Sequence, residues 1–192
     1  MMNARWSFLA VPLLAALGCS DPVPLPAQGA ITLSVRLPAN TTSGTCPDSG
    51  TTYESGSPAP STGNPGGSLV DGDKGARVSC SVKPSGGGFA FSGNFAANTT
   101  SGESFPITVT FSNGVIDANG NGTADIGVYT PKLSQTYSSS VACTVNVLGS
   151  PKQVKGGSIW ASFSCPSITN PPSGLCAVGS NSVVVFENCD GS

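Results

Sequence analysis

The residues best suited to chemistry lie in one short stretch, residues 117–125, which reads DANGNGTAD. Asp117, Asn119, Asn121 and Asp125 bring side-chain oxygens at close spacing, with glycines between them. Carboxylate, amide and backbone oxygens are the ligands that calcium prefers, so the spacing indicates a small cation loop. The same residue types also favour a wide β-turn, because Asn and Gly accept positive φ angles readily. At the level of the sequence both interpretations are open.

The pattern D-x-N-x-N-G-x-x-D resembles the calcium loops of EF-hand, dockerin and thrombospondin-type repeats, and those of integrin-type propeller blades. The resemblance implies five oxygen ligands, of which Thr123 would act through its backbone carbonyl: Asp117, Asn119, Asn121, Thr123 and Asp125. The chain departs from the pattern at Asn121, where aspartate is usual, and at Val128, where an EF-hand has glutamate. With two carboxylates, we expect a weak calcium affinity, on the order of 10⁻⁴ to 10⁻³ M.

Trp160 is the second candidate binding residue. Apolar residues flank it at alternate positions, so Trp160 is predicted to face outward if Ile159, Ala161 and Phe163 face inward. An exposed indole could stack on a sugar or on a partner surface. The alternative is that a loop or the N-terminal segment covers it.

Catalysis has little support in the composition. The chain contains no histidine, which excludes Ser-His-Asp and Cys-His arrangements. The ten acidic residues are scattered, without the paired spacing of a glycosidase. An enzyme would need a carboxylate-only mechanism near Asp71, Asp73 or Glu187. We therefore expect a protein that is not an enzyme.

The N-terminus has the pattern of a secretory signal peptide. Residues 1–5 carry positive charge, residues 6–17 are almost wholly apolar, and Gly18 precedes Cys19. The apolar run is shorter than the roughly 18 residues that a membrane-spanning helix needs. The sequence therefore predicts export and removal of residues 1–18.

The run Ala-Leu-Gly-Cys at 16–19 resembles the lipobox of bacterial lipoproteins, although Leu17 stands where a small residue is more usual. The resemblance implies lipidation of Cys19, with acyl chains that hold the protein stably on a membrane. Ser20 does not match the aspartate signal for retention in the inner membrane, which favours the outer membrane of a Gram-negative cell. Residues 19–30 are then the lipid anchor and a Pro-rich tether. An ordinary signal peptide that ends near Cys19 is the alternative.

Composition narrows the partners and predicts disulfides. Charged residues make up 9% of the chain, against about 25% in ordinary soluble proteins, so Ser, Thr, Asn and Gly must cover the surface. The absence of a basic run excludes nucleic acid binding.

The six cysteines other than Cys19 indicate three disulfides in an exported protein. We expect Cys165 to pair with Cys176 because they flank one short loop; elimination then leaves two further pairs, Cys80–Cys189 and Cys46–Cys143.

Short runs of alternating apolar and polar residues recur along the chain, between turns rich in Gly, Pro and Asn. They predict an all-β fold: a disulfide-stapled antiparallel β-sandwich or open barrel of seven to eight short strands. Residues 31–67 are expected to form a first strand and a low-complexity loop, and residues 68–192 the main sandwich. Asn113-Gly114 is a hairpin turn signal after the strand that contains Phe111.

The arrangement as a whole resembles the small lipoprotein antigens of mycobacteria. The shared features are the lipobox, the tether, an Asp71-Gly72 turn before the strand with Cys80, and a closing strand that ends at Cys189. The resemblance implies a membrane-anchored β-protein without catalytic residues. We expect a structural, adhesive or binding role toward an unknown protein, glycan or lipid. The alternative is a carrier of a lipid or other small apolar ligand in a cavity of the sandwich.

Overall fold

The computed structural model describes residues 24–39, 41, 45–56, 76–98, 106–149, 152–171 and 174–191. These residues form eleven strands: β1 (Gln28–Arg36), β2 (Thr51–Ser55), β3 (Arg77–Ser85), β4 (Gly88–Ala97), β5 (Ile107–Ile116), β6 (Asn121–Tyr129), β7 (Tyr137–Ser139), β8 (Cys143–Val147), β9 (Val154–Lys155), β10 (Ser158–Asn170) and β11 (Gly174–Glu187). No helix among them is long and apolar enough to cross a bilayer. The signal peptide, Cys19, the Asp71-Gly72 turn and residues 57–67 of the predicted loop lie outside the described residues.

All eleven strands belong to one sheet, in the order β2-β1-β11-β10-β7-β6-β5-β4-β3, with β8 between β10 and β6 and β9 beside β10. Neighbouring strands pair antiparallel. At the far edge of the sheet, Val82 of β3 donates its backbone N–H to the carbonyl of Asp190 (2.8 Å), which ties β3 to the end of the chain. The predicted all-β, antiparallel, disulfide-stapled fold is confirmed.

The strand count is larger than the seven to eight predicted. The extra strands are short: β2 has five residues, β7 three and β9 two. β2 lies inside the stretch predicted to be a low-complexity loop, and β1 supplies its backbone hydrogen-bonding partners. Strands this short depend on the hydrogen bonds of a neighbouring strand, and they contain too few residues to show a clear alternation of apolar and polar residues in the sequence.

The core is built from the inward side chains of alternate strand residues, with aromatic rings at its centre. The ring of Phe111 lies 6.1 Å from that of Phe91, 5.1 Å from that of Phe163 and 5.8 Å from that of Phe186. The contacts to Phe163 and Phe186 are edge-on, the geometry that aromatic quadrupoles prefer. All four rings are buried, so the interior is filled where a central ligand would otherwise sit.

The Asn113-Gly114 pair is not a hairpin turn, as the sequence signal predicted. It forms a β-bulge inside β5, where the pairing with β6 shifts between Ser112 and Val115. Asn113 has a positive φ of 52°, and a Cβ on Gly114 would collide with the ring of Phe91. One extra residue in a strand bends the strand locally without ending it. β5 therefore continues, and the hairpin turn follows at residues 117–120.

One of the three predicted disulfides is present and two are wrong. Cys80 pairs with Cys189 as predicted, whereas Cys46 pairs with Cys176 and Cys143 with Cys165. Cys165 cannot reach Cys176, because β10 and β11 pair with Cys176 opposite Ile168, offset from Cys165 along the ladder. Instead, β8 lies against β10 and brings the Cα atoms of Cys143 and Cys165 to 4.4 Å.

Candidate functional site

The first part of the predicted cation loop is a closed hairpin turn between β5 and β6. The Asp117 carboxylate accepts hydrogen bonds from the backbone N–H groups of Asn119 (2.8 Å) and Asn121 (2.9 Å) through the same oxygen, Oδ1. The backbone N–H of Asp117 donates in turn to the carbonyl of Asn121 at 2.8 Å. The carboxylate therefore stabilises the turn by satisfying two of its backbone donors.

The remaining proposed ligands lie along a strand and do not converge. Asn121, Thr123 and Asp125 occupy alternate positions of β6, so neighbouring members are roughly 6.7 Å apart along the strand. Asp125 Oδ2 accepts a hydrogen bond from the Asn113 side chain at 2.8 Å. The described residues contain no group of three or more His, Cys, Asp or Glu that could hold a metal ion. The hydrogen bonds of the turn and the spread of the later oxygens along β6 favour the β-turn interpretation over the calcium loop.

Trp160 lies where the alternation of β10 predicted. Ile159, Ala161 and Phe163 are buried in the core, and the Trp160 side chain is half-buried on the other face. Its indole N–H donates to the carboxylate of Glu187 on β11. The polar end of the indole is thus held by a neighbouring strand, which makes Trp160 part of a fixed pair on the outer face.

A buried acidic cluster was not predicted from the sequence. The Asp48 side chain has no exposed surface, and it accepts hydrogen bonds from Tyr53 Oη (3.0 Å) and Thr130 Oγ1 (2.6 Å). Lys132 Nζ lies 3.9 Å from Asp48 Oδ1, and its side chain is 47% exposed. Each carboxylate oxygen therefore has a hydroxyl donor. The cluster joins the segment before β2 to the segment after β6, which is a structural role.

The outward face of the sheet carries a continuous line of small polar residues, which we call the polar row: Ser79, Asn94, Thr110, Gly127 and Ser138. Each member is the direct cross-strand partner of the next, so the row runs across β3, β4, β5, β6 and β7, perpendicular to the strands. The inner three members are half-buried and the outer two are exposed.

Two shallow grooves follow the polar row and meet at Thr110. One has a volume of about 470 Å³ and is lined by Ser79 and Asn94 among others; the second, of about 340 Å³, is lined by Gly127 and Ser138. Volumes of this size fall within the range of small-ligand sites, roughly 300 to 1,000 Å³. Polar side chains and concave shape thus coincide along the row.

Two charged residues line the grooves of the polar row, Asp190 and Asp125. Lys83 Nζ forms a salt bridge of 2.8 Å with Asp190 beside the larger groove. The Asp125 carboxylate in the smaller groove is held by Asn113. What the row itself offers is hydroxyl and amide groups, each of which can donate and accept hydrogen bonds. Its chemistry suits recognition of a polar ligand.

Neither a protein-family model, nor a curated protein, nor a solved structure matches this chain. The interpretation of its function therefore rests on the side chains of the polar row and on the N-terminal sequence.

Proposed function

We propose that this chain is a non-enzymatic envelope protein, anchored through a lipid on Cys19, that binds a partner with its polar row in an adhesive or structural role. Support for the location comes from the leader and the lipobox-like run at 16–19. The three disulfides are typical of an exported protein that folds in an oxidising compartment.

The observation that carries the binding role is the alignment of the polar row with two adjoining grooves. The side chains of Ser79, Asn94 and Ser138 make no hydrogen bond to any part of the chain that the structure describes. Their donors and acceptors are therefore available to a partner. A partner that satisfies them gains specificity, because polar groups buried without hydrogen bonds are costly.

A carrier function has less support. A lipid or other apolar ligand inside the sheet would need the central volume that Phe91, Phe111, Phe163 and Phe186 occupy. Replacing four packed aromatic rings with a ligand would forfeit their mutual contacts. The outer face is the better supported site of binding.

Lipidation is tested by labelling the full chain in bacteria with an alkynyl palmitate analogue. The wild-type chain should incorporate the label into a membrane-associated product, and the Cys19→Ser variant should not. Equal labelling of both chains, or of neither, would contradict the anchor.

Binding is tested with a soluble form that starts at Ser20, added to a bacterial envelope fraction and recovered by sedimentation. A Ser92→Trp variant places a bulky side chain at an exposed position that lines both the larger groove and its neighbour. Thr144→Trp makes the same change at an exposed position of β8 outside these grooves. Wild type and Thr144→Trp should sediment with the fraction and Ser92→Trp should not. Equal recovery of all three would refute binding through the polar row.

A further inference from the structure

We infer that the partner of the polar row is a neutral polysaccharide chain that lies across the strands, with about one sugar ring over each strand. The inference rests on the proposed binding function and names the chemical class of its ligand. It follows from the direction of the row, from the hydrogen-bonding groups in it and from the absence of cations among the residues that line its two grooves.

The direction of the polar row distinguishes a sugar chain from a peptide. Adjacent members belong to neighbouring strands, whose spacing is about 4.8 Å, so the five members span roughly 19 Å. That repeat is close to the length of one ring in an extended sugar chain. An extended peptide repeats every 3.3 Å or so, which would fall out of step with the row.

The hydrogen-bonding groups of the row fit sugar hydroxyls. Ser and Thr hydroxyls and the Asn amide each offer a donor and an acceptor, as a sugar hydroxyl does. The one hydrogen bond that a row side chain makes within the described residues is long: Thr110 Oγ1 donates to the carbonyl of Gly127 at 3.4 Å. Exchanging so weak a bond for one to a ligand costs little.

Gly127, the fourth member of the polar row, lets β5 and β6 lie close together beside Thr110. A Cβ at this position would lie 2.5 Å from Thr110 Oγ1, so any side chain here would press on the residue where the two grooves meet. With glycine, the Thr110 hydroxyl can lie against the backbone of β6, where it donates to the Gly127 carbonyl. Three polar side chains of the row lie on one side of Gly127, and Ser138 lies on the other.

The electrostatics favour a neutral ligand over an anionic one. Lys83 and Asp190 neutralise each other at 2.8 Å beside the larger groove. An anionic polymer would find no unpaired cation among the residues that line the two grooves of the row. Binding of a neutral polymer should accordingly depend little on salt, since screening acts on charges.

The test uses the full chain, purified with its disulfides intact in mild detergent, and isothermal titration with β-1,4-linked glucose and mannose oligomers from disaccharide to hexasaccharide. One of the two series should bind, with an affinity that rises with each added ring up to the pentasaccharide and then levels off. Thr110→Val and Asn94→Ala should each weaken binding by about three- to tenfold, the effect of one hydrogen bond. Thr144→Val, outside the row, should leave the affinity unchanged.

Two results would overturn the inference. The first is the absence of binding by both oligomer series at millimolar concentration, and the second is binding that neither grows with length nor responds to the row variants. In either case the sedimentation experiment with Ser92→Trp shows whether only the choice of ligand fails or the proposed binding function fails as well. If Ser92→Trp still abolishes envelope binding, the binding function stands with a ligand that is not a neutral sugar chain. If it does not, the proposed function fails as well.

Discussion

Removal of the Asp48 carboxylate is the strongest perturbation that the fold predicts outside the aromatic core. The carboxylate is fully buried and accepts hydrogen bonds from Tyr53 and Thr130. Thr130 Oγ1 also accepts a hydrogen bond from the backbone N–H of Leu133 at 3.2 Å, so it is held in place to donate to Asp48. In Asp48→Ala, two buried hydroxyls lose their acceptor at once.

The expected loss of stability is about 3–5 kcal/mol. A hydrogen bond to a charged group contributes about 1.5–3 kcal/mol, and a buried hydroxyl donor left without an acceptor adds its own penalty. The two losses occur in one cluster and do not simply add. The ion pair with Lys132 contributes at most about 1 kcal/mol, because the lysine is 47% exposed and 3.9 Å away. Against a typical total of about 5–15 kcal/mol, the loss is large.

The assay is urea unfolding of the oxidised chain from Ser20, followed by circular dichroism. Asp48→Asn should cost about 1–2 kcal/mol, because its amide oxygen still accepts one hydrogen bond. Lys132→Met should cost less than about 1 kcal/mol and serves as the control for the ion pair.

A different ranking would refute this account of the cluster. Suppose that Asp48→Ala lowers the free energy of unfolding by less than about 1 kcal/mol at unchanged m-value. The hydrogen bonds from the Tyr53 and Thr130 hydroxyls to the Asp48 carboxylate would then contribute little to stability. If Lys132→Met is as damaging as Asp48→Ala, the ion pair and not the hydroxyl donors stabilises the cluster.

Three further predictions concern the turn, the disulfides and the bulge. Calcium at millimolar concentration should leave the melting temperature unchanged, and a calcium-specific rise in melting temperature would contradict the turn geometry. Asp117→Ala should lower the free energy of unfolding by about 1–2 kcal/mol, because two backbone donors lose their acceptor. Replacing Cys46 and Cys176 together by alanine should cost about 2–5 kcal/mol in urea unfolding, and recovery of a Cys165–Cys176 bridge in a peptide map of the wild type would disprove the pairing. Gly114→Ala should destabilise by about 1–3 kcal/mol, since the new methyl meets the Phe91 ring. Gly156→Ala is the comparison variant and should cost clearly less, because its new methyl would lie 3.3 Å from the nearest atom, the backbone oxygen of Gly191.

The fold class could be predicted because the relevant signal is local. Alternation at Ile31, Leu33 and Val35 predicts which side of β1 faces the core, and the structure places all three in the core cluster. The same logic places Trp160 outward between Ile159 and Ala161. The same logic cannot choose a core face at the end of the chain, because the four consecutive apolar residues Val183–Phe186 do not alternate with polar ones. In the structure, Val184 and Phe186 belong to the core cluster, and Val183 and Val185, although buried, do not.

Pairing could not be predicted, because it depends on which strands become neighbours. Cys165 and Cys176 are close in sequence, but the register of β10 against β11 separates them. The polar row has the same origin: Ser79 and Asn94 are unremarkable in the sequence and become neighbours only through the pairing of β3 with β4. The low charge of the chain indicated a surface of Ser, Thr and Asn, but not the register that aligns those residues.

The predicted cation loop shows how a motif depends on backbone conformation. Spacing alone cannot distinguish a loop that folds back on itself from a turn followed by a strand. Here the pairing of Ser112 with Asp125 extends β6 through the second half of the motif. Extended backbone places alternate side chains in a line, so the oxygens that a loop would gather are spread along the sheet.

The position of β11 sets an order of events in time. β11 is the last strand to be synthesised, yet it lies between β1 and β10. A chain threaded N-terminus first across a membrane would present β1 with only the five-residue β2 as a partner until residues 174–187 follow. Until then, β1 and β10 would each expose an open edge to other chains. An oxidase that met the early part of the chain would find Cys46 and Cys80 long before Cys176 and Cys189. The sheet can become continuous only when β11 has been synthesised, so a chain cut short before β11 would remain unfinished whatever its local strand propensities.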